Sequence, residues 1–351
     1  MTPPTLGLEE EFFVLYEGQP STASLLDLSR LLWRDPRHNA AHTATNFTRG
    51  RRAWRGLMSS VEVASRVHAH PDTLLAEVAA RRAELAGVLG SGLIAPVGLL
   101  PDSDRYHTAG LHLHLGVPAA QLERAYGNLA RFLPVLALAS ASSPDWAQAR
   151  GGPMQRVRRS FALGPLTPDP YARFQDLIVT RRLGTIELRV LDPVWDLTRL
   201  RAIVNAAWRL AALPERLPWS PQTYNRLREL YPQQGLTDET RALALELRDL
   251  TGFDPALAEQ PEAERLAAHA GERGFASLWR HLDGGVRGGS FAPSTTPDAR
   301  PARWRGAAGF AAYYLPKLPY IGYKAWREHH GTPPGKPPGR SPGASLTRSR
   351  R

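Results

Sequence analysis

Three adjacent glutamates, Glu9, Glu10 and Glu11, interrupt an apolar segment running from Leu6 to Tyr16. In a strand, Glu9 and Glu11 share one face and Glu10 takes the other. Two carboxylates on an interior face repel and resist ionising together unless a cation neutralises them. Hard divalent cations favour that kind of oxygen-rich setting. At a solvated edge the same residues would do nothing, and at this point both readings stand. Glu62 repeats the pattern between Val61 and Val63, and Glu187 repeats it in Thr185-Ile186-Glu187-Leu188-Arg189-Val190, where Arg189 shares its face. Glu62 alone could mark a wet face, and Glu187 with Arg189 could be a solvent-facing ion pair. Three such strands in one chain make coincidence a poorer account. His112 and His114 project together from Gly110-Leu111-His112-Leu113-His114-Leu115-Gly116. Such a pair can bind a metal or hydrogen-bond a phosphate or carboxylate; the alternative is a polar sheet face.

The elements that must carry these residues follow from periodicity. Strands are predicted over 6–16, 57–67, 111–117 and 185–191, with a short apolar run at 93–100. Helices are predicted over 24–33, 73–88, 121–140, 197–213 and 237–250, with Pro134 marking a bend or boundary in the third. No regular βαβ period appears, which favours an α+β fold. There is no internal repeat, dinucleotide fingerprint or phosphate-binding P-loop. Residues 331–351 are rich in Pro and Gly, with five basic and no acidic residues, and read as a flexible tail after a single domain, 1–330.

Composition narrows the class. The 351 residues are 42% hydrophobic and 22% charged, which is globular. No long apolar run predicts a membrane span, and the N-terminus lacks a secretory signal, so a soluble cytoplasmic protein is expected. Cysteine is absent, which excludes disulfides, thiolate metal sites and a cysteine nucleophile within the chain. The formal charge is +11, and only Lys317, Lys324 and Lys336 of the 44 basic residues are lysines. Arginine suits bidentate recognition of carboxylates and phosphates, which serves a nucleotide-using enzyme and a nucleic-acid binder alike. The second class finds no helix-turn-helix, zinc-finger or aromatic RNA-binding motif in support.

Taken together, GLEEEFFVL at 7–15, SSVEVAS at 59–65, GLHLHLGV at 110–117, SASSPDW at 140–146 and GTIELRVLD at 184–192 resemble, in order and spacing, the glutamate–cysteine ligase type 2 or carboxylate-amine ligase family. The resemblance covers 6–213 and is weaker beyond. It implies an active site like that of glutamine synthetase, on a curved antiparallel sheet flanked by helices. There ATP would phosphorylate a carboxylate and an amine would attack the acyl phosphate. It implies Mg²⁺ on Glu9, Glu11, Glu62, Glu187 and His112, with His114 facing substrate or nucleotide. It also implies that Arg189 meets the transferring phosphate and that Arg181, with His114 and Arg189, contacts ATP. Small-molecule carboxylate and amine substrates and a homo-oligomer are the partners implied. Two departures stand out: Arg55 occupies a position where the family carries a further glutamate, and the glycine-threonine-histidine-proline motif is missing near 92–96. These departures motivate an alternative, a catalytically degenerate ligand-binding member of the same fold.

Overall fold

The computed structural model describes residues 3–34, 42–45, 60–101, 108–147, 152–319 and 323. Its centre is a long strand, β1 (Thr5–Tyr16), whose two halves belong to different neighbourhoods. The first half pairs with β4 (Ser60–Ala64) and β6 (Leu111–Gly116), and the second with β2 (Gln19–Pro20) and β5 (Leu93–Ala95). Outward from this core lie β3 (His42–Thr45) beside β4, and β8 (Ile186–Leu188) then β7 (Leu177–Val179) beside β6. Every pairing is antiparallel, and the main order is β3-β4-β1-β6-β8-β7.

This arrangement corrects one expectation. The resemblance implied a curved sheet, whereas the sheet is an open path whose outer strands, β3 and β7, do not pair with each other. Closing a sheet requires tilted, staggered strands that pair around a full circuit. Here the outer strands have four and three residues, and the extra pairings of β2 and β5 branch from β1 rather than extending the edge. The fold is therefore α+β, an open antiparallel sheet flanked by helices.

Alternation sorts the sheet into two faces. Leu6 and Leu8 of β1 stand opposite Leu115 and Leu113 of β6, and Leu113 stands opposite Leu188 of β8. All are buried in one core with helices α2 (Pro71–Val88), α3 (Leu122–Ser140) and α5 (Leu197–Ala212); α1 (Ala23–Arg34) and α4 (Gln155–Arg159) are further α-helices among the described residues. Helix α2 opens with Pro71 at its first position and His70 accepting from the Asp72 N–H, the start that proline and a polar cap favour. Helix α3 continues past Pro134 rather than ending there, and its second half is buried on every side. Beyond α5 come helices the periodicity did not reveal, among them Pro221–Gln234 and Glu262–Gly288. The second packs on β5 and, with Phe12, Phe13, Leu15 and Trp279, builds a second core around the other half of β1.

Glu10 lies on the helix-facing side of β1, as its parity requires. It is fully buried and takes two hydrogen bonds from Arg82 of α2, at 2.5 and 2.9 Å, while Arg82 also donates to the carbonyls of Val194 and Trp195. The expected tail at 331–351, Arg55 and its neighbours Arg49, Arg51 and Arg52 lie outside the described residues. Among the described residues no helix is long and apolar enough to cross a membrane.

Candidate active site

The register brings the predicted residues onto one face of four adjacent strands. Glu11 stands opposite Glu62, Glu9 opposite His112, and His114 opposite Glu187. Directly opposed residues share a face and lie close enough for their side chains to interact. The face opposite Leu6, Leu8, Leu113 and Leu188 is therefore a band of four carboxylates and two imidazoles across β4, β1, β6 and β8.

Distances show how tight the band is. His112 Nδ1 lies 3.5 Å from Glu9 Oε2 and 3.4 Å from Glu187 Oε1, and His114 Nε2 lies 3.7 Å from Glu9 Oε2. One ligand atom each from Glu9, His114 and Glu187 falls within 4.8 Å of the others. The resemblance gave His112 the metal and His114 the substrate or nucleotide; the compact trio contains His114, with His112 against both of its carboxylates. Arg189 Nη1 donates to Glu187 Oε1 at 2.7 Å. Glu187 is 4% exposed, so this is an enclosed pair rather than a solvent-facing one.

The charges are arranged at a cost. Burial pushes Glu62 up to about 9, reinforced by the carboxylates of Glu11, Glu9 and Glu187. Burial likewise raises Glu11 above the ordinary carboxylate range, more than His112, Arg156 and the Gly110 N–H lower it. Burial also opposes the charge on Glu9, but the neighbouring imidazoles of His112 and His114 outweigh it and hold Glu9 well below its usual value. Among the described residues, three buried polar atoms here have no hydrogen-bond partner: Glu11 Oε1, His114 Nε2 and Arg189 Nε. An unsatisfied buried polar atom is costly and asks for a ligand. Clustered carboxylates with imidazole nitrogens fit a divalent cation by donor chemistry.

Beside this band opens a cleft of about 610 Å³, lined by Glu187 and Arg189 together with Tyr171, Arg173, Arg181 and Arg182. Arg181, exposed in the turn between β7 and β8, thus reaches the same cleft as Arg189. All eight residues singled out in the sequence lie on or beside one surface.

Sequence reasoning missed the supports. Arg156 belongs to a basic run with Arg158 and Arg159. It is buried, and it donates to the carbonyls of Arg189, Val190 and Leu191, which fixes the backbone that leaves β8. Arg158 and Arg159 in the same stretch are exposed. The available signal was Gly110, because a Cβ there would lie 2.1 Å from Arg156 Nη2. The serines of the SASSPDW segment are also structural: Ser143 Oγ donates to Asp192 Oδ2 at 2.6 Å, as does the Ser142 N–H at 3.0 Å. The stretch where the histidine-proline motif is missing forms β5, which pairs with the distal half of β1.

No protein-family model matches the sequence, and no curated protein matches it either. Among solved structures, the chain is similar to the glutamate–cysteine ligase of Francisella tularensis in complex with AMP. The identity is 12% and the TM-score 0.52, over 93% of this chain and 99% of that one. It is also similar to a bifunctional glutathione synthetase from Pasteurella multocida, with 11% identity and a TM-score of 0.50. That match covers 89% of this chain and 53% of the other, so the chain spans about half the length of the bifunctional protein. At such identities the likeness is one of fold, and the chain has the fold seen in these ligases.

Proposed function

We propose that the protein is an ATP-dependent ligase that joins a carboxylate to an amine with the help of a divalent cation. The observation that carries this reading is the band of Glu9, Glu11, Glu62, His112, His114 and Glu187 on one sheet face, opening onto an arginine-lined cleft. Glu9, His114 and Glu187, with Glu11, Glu62 and His112 beside them, would hold Mg²⁺. When bound, Mg²⁺ would neutralise oxygens of the transferring phosphoryl group. Arg181 and Arg189, joined by Arg173 and Arg182, would seat the triphosphate in the cleft. Arg189 is tied to Glu187 through Nη1 and keeps Nε unpaired, so it has a donor left for charge that grows as the phosphoryl group moves. The product of that step would be an acyl phosphate, which the amine attacks, releasing phosphate.

A screen of carboxylate and amine pairs, beginning with glutamate and cysteine, tests this by following ADP and phosphate release. The reading expects turnover that needs both substrates and Mg²⁺. Failure of every pair, from a protein that binds Mg²⁺ and ATP, would favour the degenerate ligand-binding alternative.

A further inference from the structure

The hydrogen bonds behind His114 form a chain. Thr185 Oγ1 lies 3.2 Å from His114 Nδ1 and 3.0 Å from Thr180 Oγ1. The Thr185 N–H donates to the same Thr180 oxygen at 3.2 Å. Backbone bonds from the Thr180 N–H to the Thr185 carbonyl, at 2.8 Å, and from the Gly184 N–H to the Thr180 carbonyl, at 2.9 Å, close the turn between the two threonines. Gly184 takes φ +68° there, a left-handed conformation that glycine supplies without strain. Thr185 is thereby fixed at the back of the imidazole.

On the other side of the ring, His114 Nε2 is buried without a hydrogen-bond partner, between Glu9 and Glu187. An N–H there would be a buried donor lacking an acceptor at bonding distance, since Glu9 Oε2 is 3.7 Å away. A lone pair there is what a cation requires. Both conditions are met if Nδ1–H donates to Thr185 Oγ1 and the Thr185 hydroxyl donates onward to Thr180 Oγ1. Metal-ligating histidines are commonly oriented in this way, through the hydrogen bond made by the nitrogen that does not bind metal.

We propose that Thr185 is a positioning residue that holds His114 in its Nδ1–H tautomer and presents the Nε2 lone pair, between Glu9 and Glu187, to a divalent cation. The proposal rests on reading that trio as a cation site. Thr185→Val keeps the branched shape and removes the hydroxyl, whereas Thr185→Ser keeps the hydroxyl.

The test is long-range ¹H–¹⁵N spectroscopy of the full metal-free chain labelled at histidine, with His114 assigned through His114→Gln. The parent and Thr185→Ser should show a protonated Nδ1 and an unprotonated Nε2; Thr185→Val should move His114 toward Nε2–H, the form favoured by free neutral histidine. In a parallel calorimetric titration with Mg²⁺ alone, Thr185→Val should weaken affinity about 10–100-fold, the range typical for loss of such a partner, with Thr185→Ser near the parent. A parent that carries Nε2–H, or a folded Thr185→Val with an unchanged tautomer, would overturn the assignment. A parent whose tautomer depends on Thr185 but which takes up no Mg²⁺ would uphold the role of Thr185 toward His114 and contradict the cation site instead.

Discussion

Glu62 shows what single side chains must tolerate on this sheet face. It is half-buried opposite Glu11, and burial with three neighbouring carboxylates raises it to about 9. In the unfolded chain a glutamate loses its proton near pH ~4.3. Between these values the unfolded state has released the proton while the native state retains it, so stability falls as pH rises through the window. Below it, both states are protonated and the loss is absent. Glu62→Gln removes this titration, so the metal-free variant should lose less stability from pH 5 to pH 9 than the parent does. The remaining ionisable groups are common to both proteins, which makes the difference between the two curves the informative quantity. Urea unfolding across that range, without divalent cations, supplies the check; parallel curves would show that Glu62 does not carry the strain assigned to it. Its partner in conflict, Glu11, keeps one oxygen on the Gly110 N–H at 2.7 Å and leaves the other unpaired.

Between elements, the contact that sets helix α2 against β1 is the buried pair of Arg82 and Glu10. Both side chains are 2% exposed or less, and the guanidinium also donates to the carbonyls of Val194 and Trp195. Removing one partner of a buried pair strands a charge and costs roughly 3–5 kcal/mol, whereas replacing both by apolar groups can be close to neutral. Arg82→Met should therefore destabilise the fold by about that amount, and Glu10→Met/Arg82→Met by less than the single change, as read from urea unfolding at constant pH. A double variant less stable than Arg82→Met would contradict the account. Alternation in the sequence showed that Glu10 faces away from Glu9 and Glu11, because parity is local. It did not show Arg82 as the partner, since that depends on how a helix 72 residues away in the chain packs. Thr185 was hidden for the same reason: its link to His114 spans 71 residues. Strand order and the open edges were equally illegible, because pairing among short strands leaves little local signature. Arg181, in the turn before β8, and Arg189, just beyond β8, line one cleft.

At the scale of the molecule, the sheet divides the labour. One face is leucine-rich and packs on helices, so the strands can be rigid enough to hold repelling carboxylates on the other. The formal charge of +11 finds a local expression in the arginines of the cleft beside that band. A cationic cleft next to an acidic band suits a polyanionic nucleotide bound together with a cation. Calorimetry with ATP, in the presence and absence of Mg²⁺, addresses this pairing most directly when the parent is compared with Glu9→Gln/Glu11→Gln. The account predicts Mg²⁺-dependent ATP binding by the parent and its loss in the variant, with circular dichroism showing both folded. Binding that is the same with and without Mg²⁺, or equal in parent and variant, would contradict it.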